Sequence, residues 1–133
     1  MSQENVEVVQ GAWRAYNDEG IEAVTEYFAH DCVCEDVFGL PDGATYRGRE
    51  GVRERDRHFK ETWADLGWEP LEFIDAGPEV VVAVIALRAH GRDSGAPVEL
   101  QVGFVYEVRD GRIVRDRAFT SRSQALEAAG LQE

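Results

Sequence analysis

Apolar residues at helical spacing open the chain. Val6, Val9, Trp13 and Tyr16 fall three or four apart and predict an amphipathic helix over Asn5–Asn17, ended by Asn17-Asp18-Glu19-Gly20. Ile21, Val24 and Phe28 predict a second helix over Ile21–Ala29, so the start reads as a helical hairpin. The period then drops to two. In the strand Cys32–Phe38, Cys32, Cys34, Asp36 and Phe38 share one face, and Val33, Glu35 and Val37 the other. A turn-rich Gly39-Leu40-Pro41-Asp42-Gly43 follows, and Tyr46-Arg47-Gly48 leads into a third helix over Arg49–Leu66. Its apolar stripe is Val52, Phe59, Trp63 and Leu66, with Asp56 inside the stripe and Arg55 at its edge. The remainder reads as strands: Trp68–Ile74, the valine-rich Glu79–His90 covered on both faces, Val98–Val108 and Ile113–Thr120. Hairpin turns at Gly91–Gly95 and Arg109–Arg112 join the last three, and a short helix, Ser123–Ala129, closes the chain. Helices gathered on one side of a curved antiparallel sheet define an α+β domain spanning residues 1–133.

Composition narrows the partners. A length of 133 residues fits one domain with a substantial core. The net charge of −12 repels phosphate backbones and anionic membrane surfaces, so neither nucleic acid nor membrane is an expected partner. The two cysteines, one residue apart on a strand, suit neither a disulfide staple nor a zinc site and read as buried free thiols. The polar, acidic start does not read as a signal peptide, and the longest apolar run, Val80–Leu87, is too short for a bilayer, so the expected location is cytoplasmic.

The candidate chemistry begins with Asp36. A carboxylate in line with two cysteines and a phenylalanine points to an apolar cavity, where it keeps a basicity useful for proton transfer. The plainer reading is a strand-end carboxylate that caps a loop. Asp116, on a strand face with Val114, Ala118 and Thr120, is the second candidate, with a surface ion pair as its alternative. Asp56 reads as an ion-pair partner of Arg53, Arg55 or Lys60 along the helix. Trp13, Tyr16, Phe59 and Trp63 form an aromatic stripe that serves either as core or as a ligand wall. His30, His58 and His90 lack metal spacing, and no phosphate loop, nucleophile elbow or dinucleotide fingerprint occurs, so no metal or cofactor is expected.

Tyr16-Asn17, the turn at Gly20, Tyr27-Phe28-Ala29, Glu35-Asp36, Tyr46-Arg47-Gly48 and Arg109-Asp110-Gly111-Arg112-Ile113-Val114 together resemble SnoaL-like proteins of the nuclear transport factor 2-like superfamily. The resemblance covers essentially the whole chain. It implies a cone-shaped α+β barrel, a bent sheet wrapped around three helices with an interior pocket, and a homodimer formed through the outer sheet face. Asp36 matches the catalytic base of the ketosteroid isomerases in that superfamily. The match then stops: their helix-one oxyanion tyrosine falls at Ala12, with Tyr16 nearby as a hydroxyl donor, and their second donor falls near Val102. Steroid isomerisation itself is therefore disfavoured. The polyketide cyclases place an acid/base aspartate in the region of Asp116. An Asp–Arg–Asp set like that of limonene epoxide hydrolase would draw on Asp36, on Arg88 or Arg117, and on Asp116.

Two functions compete. One is an isomerase, cyclase or hydrolase acting on a small hydrophobic carbonyl or epoxide compound, with Asp36 as general acid/base assisted by Asp116 or Tyr16, and with Trp13, Phe38, Phe59, Trp63, Val102 and Phe104 against the ligand. The other is a non-catalytic ligand-binding or dimeric accessory domain.

Overall fold

The computed structural model describes residues 2–36 and 44–131. Helix α1 (Ser2–Glu19) and the single-turn α2 (Ile21–Thr25) lead into β1 (Phe28–Asp36); β2 (Ala44–Arg47) precedes α3 (Gly48–Thr62). Four long strands follow, β3 (Trp63–Asp75), β4 (Val80–Gly91), β5 (Pro97–Arg109) and β6 (Arg112–Phe119), and α4 (Arg122–Ala128) is the last described element. The predicted strand position Phe38 and the loop after it lie outside the described residues.

Two helices are shorter than their apolar spacing suggests. The second ends at Thr25, whose hydroxyl donates to the Glu22 carbonyl while the Tyr27 amide closes on Val24. Phe28 is therefore not helical: it starts β1 and pairs with Ile113. The third helix ends at Thr62, because Trp63 is extended and pairs with Gly91 across β4. Trp63 and Leu66 thus belong to β3, not to the helix stripe. Ala44–Arg47, read from sequence only as a helix entry, is a strand paired antiparallel to β1.

The six strands form one curved sheet in the order β2-β1-β6-β5-β4-β3. The meander β3 to β6 is antiparallel, as its hairpins require, but β1 lies parallel to β6, so the sheet is mixed. It is also not closed into a barrel, since β2 and β3 form its two edges. The concave face packs Val81, Ala83, Ile85 and Leu87 of β4 and Val102, Phe104, Tyr106 and Val108 of β5 against Val6, Val9 and Trp13 of α1. On the other face α4 covers Val82 and Val105 with Ala125 and Leu126. Strand β4 is therefore buried on both sides, which its unbroken valine-rich run anticipates. Ser121 caps α4 by accepting the Gln124 amide hydrogen.

Contact between α4 and the sheet depends on Gly103. A Cβ there would lie 2.6 Å from the Ala125 Cβ and 2.7 Å from the Ser121 carbonyl oxygen. Gly103→Ala is expected to cost about 1–3 kcal/mol in urea denaturation by prising α4 off the sheet. Gly67→Ala, whose new methyl meets its nearest neighbour at 3.8 Å, serves as the control and is expected to be tolerated.

Candidate functional site

The site is organised by α3. Val52, Arg55 and Phe59 fall on one helical face, three and four residues apart, and that face meets β1 and the sheet interior. Gly51 permits the approach, since a Cβ there would come within 2.8 Å of the Tyr46 backbone on β2. Arg55 is thereby carried into the interior, where only 7% of it remains exposed. Asp36 at the end of β1 and Asp116 on β6 are buried on either side of it.

Asp116 reaches the interior because of a bulge. Val108 pairs with Ile113 and Glu107 with Arg115, leaving Val114 as the extra residue, so both Ile113 and Asp116 point inward. Strict alternation would have placed Asp116 with Val114 on the face opposite Ile113. Asp116 is then opposite Tyr106 on β5 and level with Cys34 on β1.

Arg55 joins the two carboxylates. Its Nε and Nη2 donate to Asp36 Oδ1 at 2.9 and 2.6 Å. Its Nη1 donates to Asp116 Oδ2 at 2.8 Å and Nη2 to Asp116 Oδ1 at 3.2 Å. The guanidinium carbon also lies 5.6 Å from the centre of the Phe104 ring, within cation–π range. The Asp–Arg–Asp set expected from sequence is therefore formed, but by Arg55. Arg88 is exposed and pairs with Glu69 and Glu99. Arg117 packs over Phe119, with its Nε buried and without a hydrogen-bond partner.

The two carboxylates face different spaces. Asp116 and Arg55 form the polar end of a cavity between α1, α2, α3 and the sheet, with about 570 Å³ of empty space counted out through its mouth. Its walls are largely apolar and aromatic, including Trp13, Phe28, Phe59, Trp68 and Phe104. These rings pack at centroid separations of 5.3 Å for Trp13–Phe104 and Phe59–Trp68 and 5.6 Å for Trp13–Trp68. Tyr106 lines the same cavity, and its hydroxyl oxygen accepts the Trp13 indole N–H at 3.0 Å. That bond leaves the Tyr106 O–H as a donor. Asp36 lies beyond Arg55, in a second concavity that also contains Tyr46, His58, Trp63 and Leu100.

Trp13, Tyr16, Phe59 and Phe104 thus meet in the first cavity with Asp116, while Trp63 lines the second with Asp36. Val102 packs in the core. Phe38 lies outside the described residues. Tyr16 donates its hydroxyl hydrogen to Asp56 at the cavity's edge, and Asp56 in turn pairs with Lys60 at 3.0 Å. The groups that sequence reasoning missed are Arg55 and Tyr106. For Arg55 the signal was its place midway between Val52 and Phe59; for Tyr106 it was its place on the inward face of β5 beside Phe104.

Burial sets the electrostatics. It pushes the Asp116 carboxyl above the ordinary carboxylate range, outweighing the pull of Arg55, and the Asp36 charge adds to the rise. Burial also raises the Tyr106 phenol well above its usual value, with the Asp116 charge next in effect, so the hydroxyl keeps its proton. The Tyr16 phenol is raised by burial and then by its bond to Asp56. Arg55 stays charged.

The SnoaL-like domain family model matches residues 9–116. The chain belongs to the SnoaL-like family. No curated protein matches it by sequence. Among solved structures, an NTF2-like protein from Burkholderia thailandensis is 25% identical over 92% of this chain and 96% of its own, with a TM-score of 0.79. TerC, co-crystallised with polyporic acid, is 20% identical over 96% of this chain and 98% of its own, at a TM-score of 0.77. A Mycobacterium tuberculosis protein in complex with estradiol-17β-hemisuccinate is 21% identical over 90% and 95%, at 0.72. These likenesses show that this SnoaL-like chain has the NTF2-like fold. No helix among its described residues is long and apolar enough to cross a membrane.

Removing Arg55 leaves two buried carboxylates without their counter-charge. Arg55→Met is expected to lower stability at neutral pH by about 3–5 kcal/mol, measured by chemical denaturation. A pH dependence follows from Asp116. Its pKa is higher in the folded than in the unfolded chain, so the folded state holds the proton more tightly. The stability contributed by that proton is complete below the ordinary carboxylate value and is lost as pH rises through the raised one. Asp116→Asn, neutral throughout, lacks this loss. In urea melts from about pH 4, near the unperturbed carboxylate value, upward, the wild type is expected to lose stability relative to this variant.

Proposed function

We propose that this SnoaL-like protein binds a small, mainly apolar, oxygen-bearing molecule in the cavity beneath α3 and moves a proton on it, as an isomerase or cyclase does. The observation that carries this reading is that Asp116, a buried carboxyl at the polar end of the apolar cavity, shares it with the unspent O–H of Tyr106. The ligands in two structures of the same fold, estradiol-17β-hemisuccinate and polyporic acid, support a small organic molecule as the occupant.

The chemistry follows from the positions of these groups. With a carbonyl oxygen against the Tyr106 hydroxyl, ionised Asp116 takes a proton from the adjacent carbon. The C–H electron pair moves into a new C=C bond, and the carbonyl π pair moves onto oxygen, where the Tyr106 hydrogen bond stabilises it. Returning the same proton to a different carbon completes an isomerisation with no net gain or loss of electrons. Arg55 holds Asp116 in place and supplies the positive charge that offsets the anionic state. Asp36, on the far side of Arg55, restrains the guanidinium from behind. This moves the acid/base role that the family resemblance gives to Asp36 onto Asp116, because Asp116 lines the aromatic cavity and Asp36 does not, while Asp56 at its edge is taken up by Tyr16 and Lys60.

Binding without chemistry is favoured by one observation: both Asp116 oxygens accept from Arg55, which weakens the carboxylate as a base. Deuterium incorporation from D2O into small cyclic β,γ-unsaturated ketones, followed by NMR, separates the two readings. Catalysis predicts enzyme-dependent exchange next to the carbonyl, reduced about 10²–10⁴-fold in Asp116→Asn and about 10²–10³-fold in Tyr106→Phe, with ketone binding retained. Ketone binding with no exchange by the wild type leaves the binding module as the function.

A further inference from the structure

The cavity opens beside a groove whose charge differs from that of the rest of the molecule. Residues 47–62 hold six of the 14 Lys and Arg of the chain but only four of its 26 Asp and Glu. This stretch is net positive in a chain of net charge −12. Arg53, Arg57 and Lys60, on the α3 surface, line the groove together with Arg92 from the β4–β5 hairpin. Ile21 and Asp56 line both the groove and the apolar cavity, so the two spaces adjoin.

Four carboxylates also line the groove, and their pairings decide what charge is left. Glu22 and Glu50 are engaged by Arg53, at 2.9 and 3.2 Å. Asp56 is engaged by Lys60 and by the Tyr16 hydroxyl. Glu61 is the fourth, so the lining carries four basic and four acidic side chains and is balanced in charge where the chain as a whole is acidic. Among the described residues neither Arg57 nor Arg92 has a carboxylate partner. Arg92 is nonetheless held in place, because its Nε donates to the Lys60 carbonyl at the end of α3 at 2.7 Å. Its two terminal nitrogens are left to bind an anion.

We infer that the ligand of the apolar cavity carries an anionic tail, a carboxylate or a phosphate, that leaves the cavity past Asp56 and rests between Arg57 and Arg92. This rests on the proposed small-molecule role of the cavity and names its ligand class: an apolar ring body with an acidic appendage. The charge pattern gives the tail two effects. The surrounding acidic surface repels an approaching anion more than the charge-balanced α3 groove does, and the groove offers two arginines without a carboxylate partner among the described residues. Once bound, the guanidinium forks fix the tail and so set which ring atom comes to rest against Tyr106 and Asp116.

The test compares three probes that share a phenylhexyl body: phenylhexanoate, phenylhexyl phosphate and the neutral phenylhexanol. Affinities for the intact protein are measured by isothermal titration calorimetry at low and high salt. The expected result is that at least one anion binds about 5–10-fold more tightly than the alcohol at low salt, the sum of two exposed ion pairs. That preference is expected to fall at high salt and to be lost in the Arg57→Gln/Arg92→Gln double variant. Equal binding of all three probes, or a preference that persists in the double variant, overturns the anionic tail while leaving the apolar cavity in place. Failure of all three to bind overturns the cavity's proposed role and this inference with it.

Discussion

One buried guanidinium, Arg55, holds the interior of this SnoaL-like domain together. Taking Arg55, Asp36 and Asp116 out of water costs several kcal/mol per ion, and only close pairing offsets that cost. The pairing is close: four N–H···O bonds of 2.6–3.2 Å tie one helix to two parallel strands. Much else is arranged to allow it. Gly51 lets α3 approach β2, the bulge at Val114 turns Asp116 inward, and the early ends of α2 and α3 release Phe28 and Trp63 to their strands. The net charge of the triad with both carboxylates ionised is −1. The protein resolves that imbalance on Asp116, the more buried of the two acids, whose proton is held more tightly than in water.

This division of labour gives the cavity its chemical character. Arg55 forms a partition with Asp36 behind it and Asp116 in front. In front, the walls are aromatic, and the polar groups that line them include Asp116, Tyr106 and the Tyr16–Asp56 pair at the edge. A carboxyl whose proton burial holds more tightly than water does thus stands across from a phenol that keeps its own proton. Behind the partition, Asp36 binds Arg55 through a single oxygen, Oδ1, so its effect on the cavity passes through the guanidinium.

Much of the fold was legible because its signals are local. Period-two runs, glycine-rich hairpins and a helical opening stripe identify elements without knowledge of their partners, and the interior face Cys32–Cys34–Asp36 is buried as alternation requires. What failed was non-local. The parallel pairing of β1 with β6 joins segments some 80 residues apart, and nothing in either strand announces it. The α3 boundary is the more instructive case. Counting Trp63 and Leu66 as helical drew the apolar stripe away from its true centre and left Arg55 at its margin. Ending the helix at Thr62 centres the stripe on Val52, Arg55 and Phe59, and a charged residue midway between two buried hydrophobes then stands out as a candidate site residue.

The same correction bears on how Asp36, the residue that the family resemblance singles out, sits in the interior. The resemblance picks out a carboxylate on β1; it does not say which wall of the interior that carboxylate addresses. That is decided by the arginine beside it. In this chain Arg55 occupies the space between β1 and the aromatic cavity, so the hydroxyl and carboxyl within the cavity come from β5 and β6, at Tyr106 and Asp116. Ala12 lines the cavity from α1, and Tyr106 provides a hydroxyl from the sheet. A donor and an acid therefore face the same cavity from cross-strand partners on one rigid sheet, where register rather than loop conformation fixes their separation. The helices α1, α2 and α3 supply the facing wall and the edge of the cavity, so its shape is set by helix packing on one side and by sheet register on the other.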